Sequence, residues 1–405
     1  MRPLAVVALF TFCAGLASCS ATRSERDPNV LPEECATIAV DRFKSLVIVD
    51  EAVMSDRRAR NDANGPWSFR RRLDEMTPSG VDVGIAARAW LETWRVGTKI
   101  NLFDVPPRAR VDQKAICNWL RAVPKNGCDG SCGTCVERKF DTAYAPFRLI
   151  AITNRADLAV NQDVPEAVGE ARFSYALTDG PGDDPASRSL DMTVIFEYRQ
   201  PLRGRTRSEI ATAWNGLGKH VAFDDAYKAE LETLMASFHE PGAEPNRPLG
   251  SAISTVRTNE REFEWTWGMR EYHLTEAGLT LASLHNTPDS SLNGSTKLAA
   301  LLTNNRQAIL ELKHVIPEAV SGGEVGILQP WSAPNIDTRL VDAFTHETCN
   351  GCHQNAEVDF NFHVSPHKRG IEKLSHFMHN PADPAGDDVA RREGVMRQQL
   401  CTVAR

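Results

Sequence analysis

At 405 residues, 42% hydrophobic and 24% charged, the chain can bury a sizeable core, and its length predicts one large domain with a smaller companion. A formal net charge of −7 and a pI near 5.9 exclude the basic surface on which nucleic-acid binding depends. There is no repeat at a solenoid period, and no stretch approaches 18 consecutive apolar residues, so no segment is expected to span a membrane as a helix.

Residues 1–18 read as a signal peptide: Arg2 supplies the charge, and Leu4 to Phe12 form an apolar run too short to cross a bilayer. Leu16-Ala17-Ser18-Cys19 then resembles a bacterial lipobox, in which Cys19 carries the lipid and becomes the first residue of the mature chain. The plainer alternative is an ordinary signal peptide that contains a cysteine. Residues 19–36 are polar and turn-rich (Ser20, Thr22, Ser24, Pro28, Asn29, Pro32) and read as a tether from the lipid anchor. The expected location is the cell envelope, periplasm or outer membrane, with the membrane engaged through that lipid.

Residues 37–330 predict an α+β domain. Apolar runs at 46–49 and 147–153 and the β-rich run 192–198 read as strands. In 262–269, Phe263, Trp265, Trp267 and Met269 alternate with Glu262, Glu264, Thr266 and Gly268, which predicts a half-buried strand with an aromatic inner face. Residues 226–238 place Leu231, Leu234, Met235 and Phe238 on one helical stripe, and 81–94 and 296–312 are further helices. Regular βαβ alternation is missing, so a mixed or antiparallel sheet with packed helices is expected.

No established catalytic motif is present in this region, so it assigns no enzymatic activity. Asn61 to Phe69 combine turn formers with Trp67 and Phe69. Asp62 and Asn64 are conceivable calcium ligands, but a structural turn covered by the aromatics is the simpler account. Arg155 and Asp157 read as a loop ion pair, and Glu170, Arg172, Glu197, Arg257, Asn259 and Glu260 get the same reading.

The cysteines fall into groups. Cys13 leaves with the signal peptide and Cys19 takes lipid. Cys35, Cys117, Cys128, Cys132, Cys135 and Cys401 form an even set that fits up to three disulfides in an oxidising compartment, with pairing open. The Cys128–Cys135 cluster reads as a tight loop stapled by disulfides, with Cys117 a candidate partner; a metal site or redox chemistry is the alternative.

Residues 331–405 predict a small, mainly helical unit docked on the large domain. Asp337 caps a helix bearing Leu340, Val341 and Phe344, and 389–403 form a packing helix. Between them Cys349-Asn350-Gly351-Cys352-His353 forms C-x-x-C-H, the attachment pattern of a c-type haem. Two thiols one helical turn apart can each form a thioether with a haem vinyl group, and His353 then lies beside the iron as axial ligand. Six histidines (346, 353, 363, 367, 376, 379) crowd the surrounding 34 positions. For the second axial position Met378 is the first candidate, with His363, His376, His379 and Met396 as rivals and an open position as a further alternative. His346 also completes a passable zinc pattern with Cys349, Cys352 and His353.

Two resemblances follow. The helix leading into CNGCH resembles the first helix of c-type cytochromes, which implies covalent haem c, cofactor contacts through Cys349, Cys352, His353 and Met378, iron ligation by His353 and Met378, and a redox partner protein. The segments NDANGPWSF (61–69), APFRLIAITNRADL (145–158), GEARF (169–173), TVIFEY (193–198) and RTNE (257–260), with the terminal CNGCH, are similar to a family of exported bacterial proteins over nearly the whole mature chain. That similarity implies a shared fold and transfers no catalytic residue. The expectation is thus an exported, lipid-anchored c-type haem protein. The alternative is a cell-surface binding or scaffold lipoprotein whose Cys349 and Cys352 form a structural disulfide.

Overall fold

The computed structural model describes residues 33–62, 65–128, 132–135, 139–160, 167–311, 314–325, 330–354, 361–384 and 387–401. The signal peptide, Cys19 and most of the tether lie outside these residues, as does Asn64.

Ten strands are described: β1 (Val47–Ile48), β2 (Thr98–Ile100), β3 (Phe103–Val105), β4 (Phe147–Arg155), β5 (Ala167–Thr178), β6 (Ser189–Pro201), β7 (Ile253–Asn259), β8 (Met269–Thr275), β9 (Gly278–Ala282) and β10 (Glu324–Val325). β2 and β3 form a separate hairpin. The rest make one sheet in the order β1-β4-β5-β6-β7-β8-β10, with β9 also pairing β8. Every pairing is antiparallel, which narrows the expected mixed or antiparallel sheet to the second form. Helices pack beside it, so the chain is α+β.

The two faces of this sheet differ in chemistry because side chains alternate along each strand. One face is apolar. Phe173, Tyr175, Val194, Phe196, Tyr198 and Tyr272 are fully buried there, with the Phe69 ring stacked on Phe147 at 4.0 Å and set edge-on to Tyr175 and Phe196. Trp67 and Phe69 come from the turn expected at 61–69, where Ser68 caps the Phe69–Glu75 helix. The other face carries a ladder of charge. Arg155 faces Glu170 across β4 and β5, Arg172 faces Glu197 across β5 and β6, and Arg257 faces Glu271 across β7 and β8.

The helices expected at 81–94 and 226–238 occur as Val83–Glu92 and Asp225–His239, capped by Asp82 and Asp224. The helix expected over 296–312 breaks at Asn305 into Thr296–Asn304 and Arg306–Leu310. One strand is corrected. Residues 262–268 form turns instead, and β8 starts only at Met269. Glu260 folds the chain back: its carboxylate accepts from Trp94 Nε1 at 2.8 Å, Thr258 Oγ1 at 2.7 Å and Arg108 Nε at 2.6 Å. Phe263 and Trp267 therefore turn inward, while Trp265 stays 78% exposed beneath the Arg110 guanidinium. The period-two pattern was real, but a buried carboxylate with three donors overrides a local β preference.

The last 75 residues share their packing with the rest of the chain. Leu374, Met378, Val389 and Met396 join the main core, while Leu340, Val341 and Phe344 pack with Leu298, Leu302 and Ile309. Cys35–Cys401 ties the two ends of the described chain at a Cα separation of 5.4 Å. Cys117–Cys132 and Cys128–Cys135 staple the cysteine-rich loop, in agreement with the expected reading of that cluster. Among the described residues no helix is long and apolar enough to cross a membrane.

Candidate functional site

Helix Thr338–His346 starts where Asp337 accepts from the Arg339 amide. It ends in a polar turn: Thr348 Oγ1 donates to the Thr345 carbonyl at 2.8 Å and accepts from Trp331 Nε1 at 2.9 Å. The next helix, Cys349–Gln354, begins there with the Cys349 amide donating to Thr287 Oγ1 at 3.0 Å. Gly351 sets how closely the two helices meet. A Cβ at that position would lie 1.9 Å from the Thr345 carbonyl oxygen, so only glycine fits.

Cys349 and Cys352 are both unpaired thiols, unlike the six cysteines in disulfides. Burial pushes the Cys349 thiol up, against the pull of Arg257 and of its hydrogen bond with Thr287. Burial also pushes Cys352 up, to about 12, and nearby Asp388 adds to the effect. Both sulfurs are therefore neutral thiols at pH 7.

His353 is held on three sides. Its Nδ1 lies 2.7 Å from the Asn361 carbonyl, and Asn361 Nδ2 donates back to the His353 carbonyl at 3.0 Å. Its ring lies 4.8 Å from Trp267 and 4.1 Å from His363, tilted 35° and 38° to them. Trp267 is itself fixed by Nε1 donation to Asn259. Burial lowers the His353 pKa to about 4, so the ring is neutral at pH 7. A carbonyl can only accept, so the single ring proton sits on Nδ1. Nε2 is left with its lone pair, the state a metal-binding imidazole needs.

The ladder on the sheet face runs beneath these groups. Arg172 contacts Glu170 at 2.7 Å and Glu197 at 3.2 Å, while Arg257 contacts Glu197 at 2.7 Å and Glu271 at 2.9 Å. Arg257, Glu271 and Glu197 all act on Cys349. Burial works to raise Glu271, but Arg257, His273 and the His285 amide outweigh it and hold the carboxyl at about 2. Near Cys352 the ion pair expected from 155–157 is a buried clasp. Asp157 accepts two bonds from Arg155, each 2.9 Å, and one from Arg391 at 2.7 Å. Arg391 and Arg392 also bind Asp388, which heads the Asp388–Cys401 helix.

The structure thus groups Cys349, Cys352, His353 and His363. Met378 is buried in the main core, with its Sδ 3.5 Å from Arg392 Nη2. His379 binds Asp387 at 3.0 Å and His367 binds Asp191 at 2.6 Å, while His346 and His376 are exposed. Among the described residues no three His, Cys, Asp or Glu side chains are placed to hold a metal ion, so the zinc pattern is not assembled. Motif and spacing alone do not mark Thr287, Asn361, Ser375, Glu271 and Asp388 as neighbours of the thiols and imidazoles. Glu271 stands two residues from His273 on β8 and so shares its sheet face.

Compared with protein-family models, curated proteins and solved structures, the chain matches none.

Proposed function

We propose that this chain is an exported, lipid-anchored c-type haem protein that serves in electron transfer or haem-dependent redox chemistry. The observation that carries the reading is the donor set. Two neutral, unpaired thiols lie one helical turn apart, followed by an imidazole whose proton is fixed on Nδ1. Cys349 and Cys352 would hold the macrocycle as thioethers, and His353 would offer Nε2 to the iron. The bound haem would provide one-electron chemistry at the iron. Met378 is proposed as the second ligand, which requires its Sδ to exchange Arg392 for the metal. Residues 331–405 would form the cytochrome c-like unit, and its redox partner would be another protein.

Anchoring through Cys19 would leave 16 residues to Cys35, a reach of at most about 55 Å from the bilayer. Cys19→Ser should abolish lipid labelling. For the haem, the test is a pyridine haemochrome assay on protein expressed with a cytochrome c maturation system. Covalent haem is expected. Haem-free protein whose digest yields a disulfide-linked 349/352 peptide would instead establish the scaffold reading.

A further inference from the structure

His363 stands among the rival axial ligands by sequence, yet its surroundings give it another task. Its ring centroid lies 4.1 Å from that of His353. A metal–imidazole bond of about 2 Å puts each ring centroid roughly 3 Å from the ion, so two imidazoles trans on one metal have centroids about 6 Å apart. The observed pair is too close, with its rings tilted 38° to one another.

Both nitrogens of His363 also have neighbours. Nε2 lies 3.4 Å from Cys352 Sγ, and Nδ1 lies 3.4 Å from Ser375 Oγ. Phe377 packs on its ring at 4.8 Å. Trp267 and His363 both pack against the His353 ring at a tilt, 35° at 4.8 Å and 38° at 4.1 Å. With Asn361 on the Nδ1 edge, the free edge of His353 is the one bearing Nε2.

We propose that His363 is a positioning residue on the His353 side of the haem: with Trp267 it clamps the His353 imidazole in one plane, and it also orients Cys352 Sγ. This inference rests on the haem reading above and assigns His363 no bond to iron.

The chemistry of attachment fits this arrangement. When a thiol adds across a vinyl group, sulfur bonds to the inner carbon and the thiol hydrogen ends on the terminal carbon, with no oxidant or reductant consumed. Before addition Cys352 can donate its S–H to Nε2. Afterwards the thioether sulfur can only accept, so Nε2 must carry the proton and Nδ1 must become the acceptor. The Ser375 hydroxyl serves both states, because it can rotate from accepting to donating.

The test uses purified wild-type holoprotein with His363→Ala and His363→Phe. Haem content is read by pyridine haemochrome, axial ligation by the visible spectrum, and imidazole orientation by low-temperature EPR. All three proteins should keep covalent haem and the wild-type visible axial signature. His363→Ala should shift the EPR g-values, and His363→Phe, which keeps an aromatic ring at that position, should return them toward wild type. A changed axial signature in both variants would show that His363 is a ligand and overturn the proposal. Unchanged g-values in His363→Ala would overturn the clamp. Wild-type protein without haem would overturn the haem reading itself, an outcome distinct from either.

Discussion

Asp157 is the carboxylate through which the C-terminal helix grips the sheet, so Asp157→Asn tests how that grip is made. The substitution preserves shape but removes the charge that answers Arg155 and Arg391. The side chain of Asp157 is 1% exposed and that of Arg155 is 17% exposed, so the Arg155 guanidinium would stay buried without its partner. Breaking one side of such a pair costs about 3–5 kcal/mol. Burial works to raise the Asp157 carboxyl, but Arg155, then Arg392 and Arg391, hold it well below the usual range. A carboxyl with a depressed folded pKa contributes its full stability above the unfolded value, near 3.8, and loses it as pH falls toward the folded one. Urea unfolding at pH 7 should show the full penalty. Below pH 3.8 the gap between wild type and variant should shrink by about 1 kcal/mol per pH unit. Asp179→Asn, which breaks the exposed pair with Arg188, should cost under about 1 kcal/mol. A penalty at Asp157 no larger than that control, or one that persists unchanged at pH 3, would refute the clasp.

Three further outcomes are expected. Replacing Cys35 and Cys401 together by serine opens a closure of 366 residues, and chain entropy sets the loss at up to about 6 kcal/mol; a lower urea midpoint and faster hydrogen exchange in the C-terminal helix check it. Gly351→Ala forces a Cβ against the Thr345 carbonyl and should cost about 1–3 kcal/mol while reducing covalent haem per chain, read by thermal melting and pyridine haemochrome. Met378→Leu, close in volume, should cost less than about 1.5 kcal/mol yet remove the methionine signature from the haem spectrum; an unchanged spectrum would exclude Met378 as ligand.

Elements whose signal is local were legible in the sequence. The strand at 147–153, the helix at 226–238 and the cap at Asp337 follow from residue period and capping chemistry alone. Residues 262–269 mislead because Glu260 recruits donors from Trp94 and Arg108, more than 150 positions away, and no local pattern reports them. The site shows the same division. C-x-x-C-H marks the thiols and the imidazole, but what fixes the proton on His353 is the Asn361 carbonyl, a backbone group that any residue type supplies. The ion pairs of Glu170, Arg172, Glu197 and Arg257 were expected singly. Their union into one ladder depends on strand register, which the sequence specifies only through the pairing of the whole sheet.

That ladder bears on the proposed haem through charge. Across the ladder and the clasp, Arg155, Arg172, Arg257, Arg391 and Arg392 pair with Asp157, Glu170, Glu197, Glu271 and Asp388, with burial raising Glu197 against the pull of Arg172 and Arg257. Removing one member would change the charge that faces a haem held by Cys349, Cys352 and His353. Glu271 is the member to change, because its carboxyl is held at about 2 and is fully ionised at neutral pH, and because it acts on Cys349. Glu271→Gln leaves Arg257 bound to Glu197 and uncovers one positive charge on the ladder. At an effective dielectric near 20, two unit charges roughly 10 Å apart interact by about 1.7 kcal/mol, the equivalent of about 70 mV for a one-electron couple. Added positive charge disfavours the ferric state, so the potential should rise by that order. Arg257→Gln removes a positive charge from the same place and should lower it. Potentiometric titration of both variants at pH 7 decides the matter: shifts of the same sign, or none in either, would mean that the ladder holds the site in place without tuning it.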